Sequence, residues 1–170
     1  MSGTPSATVT TYTAYLLHEK DSVNLIDWRE GKSGGGREFY GEMFQPGKKR
    51  SFDFVFPEST ESGTAQIYVE MAAAGQATSS FTVQCDGNTF TANATGIPSS
   101  DFYTKATQAT VNTSFTPTVS SSKRMDIRYD NSAASAAGFL NYIEMSATCP
   151  LRVPASGKPM FFRTTQGYNA

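Results

Sequence analysis

The fold is decided by the stretch Ala65-Gln-Ile-Tyr-Val-Glu-Met-Ala-Ala73, in which apolar side chains occupy every second position. Successive side chains of a β-strand point to opposite faces, so this alternation predicts a strand with one face in a core. The same period recurs in Ser51-Phe-Asp-Phe-Val-Phe-Pro57 and in Phe81-Thr-Val-Gln-Cys85. Asp86-Gly87 follows the last of these, and it predicts a hairpin because glycine accepts a positive φ.

Strand patterns continue along most of the chain. Further strands are predicted at Thr8–Leu17, Thr89–Asn93, Phe102–Phe115, Met125–Tyr129, Phe139–Thr148 and Met160–Arg163. The Ala-rich segment Ser132–Ala137 is short and lacks an apolar stripe, so we expect a loop there. About nine short strands without a helical pattern predict an all-β fold, a two-sheet antiparallel β-sandwich of the jelly-roll type, with an immunoglobulin-type sandwich as the alternative.

The length of 170 residues fits one sandwich domain spanning residues 1–170. Charged residues make up 17% of the chain, and the strands are rich in Thr and Ser, which is typical of extracellular β-proteins. Residues 1–10 are polar, and we expect a flexible start. The last residues carry no signal that closes a domain, so we expect a fragment of a longer protein, with an apolar docking patch near Met160–Arg163.

Composition argues against several functions. The net charge is −1 and the sequence pI about 5.8, so no positive field would attract nucleic acid. No apolar run approaches the roughly 20 residues that cross a bilayer, so membrane insertion is not expected. Cys85 and Cys149 lie far apart without metal-ligand spacing, so we expect no metal and favour two free thiols over a disulfide.

The glycine-rich loop Gly31–Gly36 contains Gly-Lys-Ser but lacks the earlier glycine of a nucleotide-binding P-loop, and no cofactor is predicted. Aromatic residues flank this loop at Trp28, Phe39, Tyr40 and Phe44. Aromatic rings beside a loop can form a platform for a sugar or a peptide. Core packing is nevertheless the favoured interpretation, above all for Phe39 and Phe44.

Catalytic chemistry has little support. His18 is the single histidine, and it lies near Glu19 and Asp21 without a nucleophile to activate, which favours a packed or surface histidine. A paired-carboxylate glycosidase site is a weak alternative, because it needs two acids held across a cleft. The acids available for such a site are Asp27, Glu30, Glu38 and Glu42. No catalytic residue is predicted.

Two segments carry a family resemblance. Tyr15-Leu-Leu-His-Glu-Lys-Asp-Ser-Val-Asn-Leu25 and Gly36-Arg-Glu-Phe-Tyr-Gly-Glu-Met-Phe44 resemble the N-terminal region of the PorU-type sortases of the type IX secretion system, which are gingipain-like cysteine peptidases. The resemblance extends over strands from Tyr15 to Phe162. Phe39 stands where the family pattern usually has Trp.

The resemblance implies a non-catalytic sandwich, because the family's catalytic Cys and His belong to a downstream peptidase domain. It implies contacts with that domain, with secreted cargo or with secretion-system subunits, and a place at the bacterial outer membrane or cell surface. The candidate binding residues are Trp28, Arg37, Glu38, Tyr40 and Glu42. The alternative function is a carbohydrate-binding jelly roll with a glycan as its partner.

Overall fold

The computed structural model describes residues 10–27 and 37–152. For Asp27 and Arg37 it describes only the backbone. This part of the chain is all-β. Its strands are β1 (Thr11–Glu19), β2 (Val23–Asp27), β3 (Arg37–Tyr40), β4 (Met43–Phe44), β5 (Lys49–Val55), β6 (Ala65–Ala74), β7 (Ser79–Cys85), β8 (Asn88–Ala94), β9 (Thr107–Phe115), β10 (Ser122–Asp130) and β11 (Ala137–Pro150). Within these residues there is no helix of the length and hydropathy needed to span a bilayer.

The strands form two antiparallel sheets and a hairpin. The five-stranded sheet has the order β1-β11-β6-β9, with β4 also paired to β11, and the four-stranded sheet has the order β5-β10-β7-β8. Eight strands remain when the short strands β2, β3 and β4 are left out. In chain order, the first of the eight pairs with the last and the second with the second to last, so the chain winds as a double Greek key. This is the predicted jelly roll, and the immunoglobulin-type alternative is not the observed topology.

The core lies between the two sheets and uses the inward side of each alternating pattern. Phe52, Phe54, Phe56 and the alternate side chains of Ala65–Ala73 are buried in it, as predicted. Phe81, Val83 and Cys85 meet them from β7, and Met125, Ile127 and Tyr129 from β10. Packing is close enough that a Cβ at Gly138 would lie 2.7 Å from the ring of Tyr129.

A second, smaller core lies outside the sandwich. The hairpin of β2 and β3 packs on the outward face of the five-stranded sheet, near the pair Ala72 and Phe139. Leu25 and Tyr40 of the hairpin are buried there, and Ala106 closes one side. The hairpin therefore covers one end of this outward face, and the rest of the face carries mainly polar and tyrosine side chains, with Leu17 exposed opposite Glu144.

Strand ends differ from the predictions in a few places. The predicted strand Phe102–Phe115 begins only at Thr107, because Asp101 accepts hydrogen bonds from the backbone N–H groups of Tyr103 and Thr104 and holds a turn. Phe102 is 88% exposed in that turn. Ser132–Ala137 is largely a loop, as predicted. The predicted strand and apolar patch at Met160–Arg163, and residues 1–9, lie outside the described residues.

The predicted Asp86-Gly87 turn joins β7 and β8. Cys85 pairs with Asn88, so the loop has two residues, with φ of 50° at Asp86 and 76° at Gly87. Positive φ at both positions is the primed hairpin turn that matches strand twist. Cys85 and Cys149 are both buried free thiols, in agreement with the interpretation favoured from the sequence.

Candidate functional site

The described part of the motif, Arg37–Phe44, attaches the hairpin to the sandwich. The N–H of Gly41 donates to the carbonyl of Leu140 (2.7 Å), and the N–H of Leu140 donates to the carbonyl of Glu42 (3.0 Å). A Cβ at Gly41 would overlap the carbonyl oxygen of Lys20 and lie 2.8 Å from its Cβ, so the close approach requires glycine. Phe44 enters the main core as predicted. The described residues of the motif therefore have structural roles.

Glu38 and Tyr40, two of the predicted binding residues, lie together. The Tyr40 hydroxyl donates to Glu38 Oε2 (3.2 Å), and Gln108 Nε2 donates to the same oxygen (2.7 Å). Tyr40 is fully buried, and this burial together with the nearby Glu38 charge raises its pKa well above the usual value, although Gln108 opposes the shift. Tyr40 is thus a neutral donor that anchors the hairpin.

Glu42 points into a different cluster. Its Oε1 lies 3.1 Å from His18 Nε2, and the His18 ring packs against Phe52 with centroids 4.9 Å apart. Glu42 Oε2 is buried, and no group in the described part of the chain donates a hydrogen bond to it. His18 is therefore a packed histidine paired with a carboxylate, as the sequence favoured. Glu38 and Glu42 do not form a paired-acid cleft.

The remaining predicted residues have different outcomes. Trp28, the Gly31–Gly36 loop and Glu30 lie outside the described residues, and of Arg37 only the backbone in β3 is described, so the aromatic platform beside the loop stays a prediction. The expectation that Phe39 packs in the core is wrong. Phe39 is 41% exposed, because the buried side of β3 is the side of Tyr40.

A polar and tyrosine-rich surface on the five-stranded sheet was not predicted. We call it the tyrosine face; its side chains are those of Tyr15, Gln66, Tyr68, Glu70, Asn112, Tyr142, Glu144 and Ser146. These residues occupy the outward positions of the same alternating strands. The sequence therefore showed that each of them lies on the side of its strand opposite the core. Their association across strands depends on register, which the sequence does not show.

Glu70 is the centre of one hydrogen-bond cluster on the tyrosine face. Its carboxylate accepts hydrogen bonds from Asn141 Nδ2 (2.8 Å) and from the Tyr68 hydroxyl (3.2 Å). Asn141 reaches it because the β6–β11 register shifts between Leu140 and Tyr142, which is a β-bulge. The rings of Tyr68 and Tyr142 stack at 5.5 Å and 12°.

A shallow pocket opens beside this cluster. It has a volume of about 160 Å³ and lies between Tyr15 and Tyr68, with Glu144 on its wall. The Tyr15 hydroxyl donates to Glu144 Oε1 (2.6 Å), although the Tyr15 side chain is 55% exposed. Burial, a hydrogen bond with Tyr68 and the charge of Glu70 raise the pKa of Tyr142 well above its usual value, so Tyr142 is a neutral phenol on this face.

The described thiols are poor nucleophiles. Burial and the neighbouring Asp86 charge raise the pKa of Cys85 to about 11, and burial with the charge of Glu58 raises the pKa of Cys149. A thiol is reactive as the thiolate, so both are protonated and inert near neutral pH. Within residues 10–27 and 37–152 there is no group of three or more side chains that could hold a metal ion.

Among solved structures, dimeric latent PorU from Porphyromonas gingivalis is similar to this chain, with a TM-score of 0.74 and 22% sequence identity. The similar region covers 99% of this chain and 15% of the PorU chain. The chain has the fold of this part of PorU. The fold implied by the Gly36–Phe44 motif is thereby confirmed, and the chain spans a small fraction of PorU.

Two carbohydrate-binding modules are more distant. The CBM36-1 domain of a multidomain xylanase from the hindgut metagenome of Trinervitermes trinervoides has a TM-score of 0.40 and 13% identity, covering 78% of this chain and 95% of its own. CBM35 from Cellvibrio japonicus Abf62 has a TM-score of 0.43 and 14% identity, covering 78% of this chain and 92% of its own. No protein-family model and no curated protein matches the sequence.

Proposed function

We propose that this chain is a non-catalytic interaction domain of a surface-located, PorU-type cysteine peptidase. The observation that carries the proposal is the similarity of fold to PorU over 99% of this chain. The domain would position the peptidase or contact cargo or partner subunits. In this view it lies outside the cytoplasm, at the bacterial outer membrane or cell surface.

Local chemistry supports the non-catalytic part of the proposal. Cys85 and Cys149 are buried, and their pKa values are raised rather than lowered. His18 faces Glu42 and Phe52, so it is held by a carboxylate and a ring. A cysteine peptidase needs a thiolate beside a histidine in an accessible cleft, and these three side chains serve packing.

The first experiment measures peptidase activity of the purified chain on a mixed set of fluorogenic peptides. We expect turnover equal to that of the Cys85→Ser/Cys149→Ser double variant, which serves as the matched control. Thiol-dependent cleavage by the chain alone would refute the non-catalytic assignment.

The second experiment uses the complete native gene product that contains this chain. We expect a Cys–His peptidase domain elsewhere in it, whose activity survives Cys85→Ser and is lost on substitution of its own cysteine. Protease shaving of intact cells should release peptides from residues 10–152. A product without a peptidase domain, or one retained in the cytoplasm, would contradict the proposal.

A further inference from the structure

The tyrosine face combines the groups that recognise sugars. Its pocket of about 160 Å³ is lined by Tyr15, Gln66, Tyr68, Asn112, Glu144 and Ser146, beside Ile67. Sugar hydroxyls both donate and accept hydrogen bonds, and the carboxylate, amides and hydroxyl of this lining offer both. The tyrosines add apolar ring surface, against which the C–H face of a pyranose can pack.

The two pocket tyrosines are held in place before any ligand arrives. The Tyr15 hydroxyl donates a hydrogen bond to Glu144 (2.6 Å). Tyr68 is held by its hydrogen bond to Glu70 and by stacking on Tyr142. Rings that are already oriented lose little rotamer freedom on binding, so more of the contact energy remains as affinity.

Charge narrows the class of ligand. Glu70 and Glu144 lie on the face, and strands β1, β4, β6, β9 and β11 contain neither lysine nor arginine. Uronate or sulfated glycans would meet like charge, which disfavours them. A protein partner would place a large anchor such as Trp, Tyr or Arg in a closed pocket from which water is excluded, whereas this pocket is shallow. The lining here is mainly polar, which fits a sugar ring better.

We propose that the tyrosine face binds a neutral oligosaccharide, with one sugar ring in the pocket between Tyr15 and Tyr68. This binding is an activity in addition to the peptidase-associated role, and it does not depend on that role. It uses residues other than the Trp28 platform predicted from the sequence.

The test is calorimetric titration of the purified chain with neutral hexasaccharides, namely cellohexaose, xylohexaose and mannohexaose, and with hexagalacturonate as the acidic probe of equal length. We expect at least one neutral probe to bind and the acidic probe to give no heat. Amide chemical-shift changes with the binding sugar should concentrate at residues 66–68, 112 and 144–146.

Substitutions on the tyrosine face test whether the sugar binds in the proposed pocket. Tyr15→Ala should weaken binding about tenfold, and Tyr15→Phe, which keeps the ring and loses the hydroxyl, should weaken it less. Asn112→Ala should also weaken it. The matched control is Asp53→Ala on the outward face of the other sheet, which should bind like the parent chain. Each variant is first checked for a parent-like amide spectrum, so a loss of binding is not a loss of fold.

Three results would overturn the proposal. The first is the absence of binding to all three neutral probes and to a broad array of neutral glycans. The second is binding that Tyr15→Ala leaves unchanged, or shift changes that map to another surface. The third is binding of an arginine-rich peptide to the tyrosine face in place of any sugar, which would make the face a protein interface. None of these results bears on peptidase activity, so the two proposals fail separately.

Discussion

On the outward face of the four-stranded sheet, basic side chains are paired with carboxylates of the same sheet, whereas on the tyrosine face the carboxylates accept hydrogen bonds from tyrosine and amide groups. Lys49 lies 2.7 Å from Asp126, and Arg128 lies 2.9 Å from Asp130. Glu144 instead accepts from Tyr15. The carboxylates of the four-stranded sheet are therefore held by cations, and those of the tyrosine face are held by neutral donors.

The largest expected effect comes from the buried charge of the four-stranded sheet. Lys123 is buried, and its Nζ lies 2.8 Å from Asp86 Oδ2. Lys123→Met should lower the free energy of unfolding by about 3 kcal/mol, because it leaves Asp86 without its cation. Chemical denaturation measures the change. The exposed pair offers a matched control, and Lys49→Met should cost under about 0.5 kcal/mol.

A double variant separates the charge from the packing. Burial alone would raise the pKa of Asp86, but hydrogen bonds from Lys123 and Thr118 outweigh it, and the net pKa is lowered. Lys123→Met combined with Asp86→Asn should therefore recover part of the lost stability. If the double variant is no more stable than Lys123→Met, the loss is one of packing and not of charge.

The second effect concerns the hairpin that covers one end of the outward face of the five-stranded sheet. Gly41→Ala should cost about 2 kcal/mol, because the new methyl group would overlap backbone atoms of Lys20, which cannot move as a side-chain tip can. Gly63→Ala is the control, since no described residue other than its chain neighbours lies within 4 Å of the position of its Cβ. Equal denaturation midpoints for the two variants would show that the hairpin is loosely attached.

The sandwich could be predicted from the sequence, but the orientation of the hairpin on it could not. The period-two pattern was sufficient for the sandwich, because inward positions such as Ile67 and Val83 are a local property of each strand. The orientation of β3 was not, since it depends on which side of the hairpin meets the outward face of β6 and β11. This dependence explains why Tyr40 is buried and Phe39 exposed.

The tyrosine face could not be predicted from the sequence for a related reason. Tyr68 and Glu70 are two residues apart on β6, whereas Tyr142 lies on β11, far along the chain. The three side chains meet through the β6–β11 register and its bulge at Asn141. Strand order and bulges arise from the whole fold, not from any one segment. The Asp86-Gly87 turn was predictable because its backbone requirement is local.

The third effect is a dependence on pH. Hydrogen bonds from Lys49 and Ser51 lower the pKa of Asp126 from 3.8 to about 2. A carboxyl whose folded pKa is depressed contributes stability above its unfolded pKa, and this contribution is lost as pH falls from about 4 to about 2. Thermal melts across this window should show a shallower decline for Asp126→Asn than for the parent chain. An unchanged slope would assign the acid sensitivity to other carboxyls.

The smallest effect is expected on the tyrosine face. Glu144→Gln should change the free energy of unfolding by less than about 0.5 kcal/mol, because the amide oxygen can still accept the Tyr15 hydroxyl and the site is exposed. Denaturation of this variant beside Asp126→Asn compares the two faces directly. A loss above 1 kcal/mol, large for an exposed position, would mean that the face is a structural element and would weaken the contrast between the faces.

The pairing of β1 with β11 has a mechanical consequence. Leu151 donates its N–H to the carbonyl of Thr10 (2.7 Å), so the two ends of the described chain lie side by side at one end of the sheet. Tension applied between them would load the hydrogen bonds one after another, from Thr11–Pro150 toward Glu19–Tyr142, instead of all at once. Strands loaded in this way separate at weak force, and β1 would leave first, since among the described strands it pairs with β11 alone whereas β11 also pairs with β4 and β6.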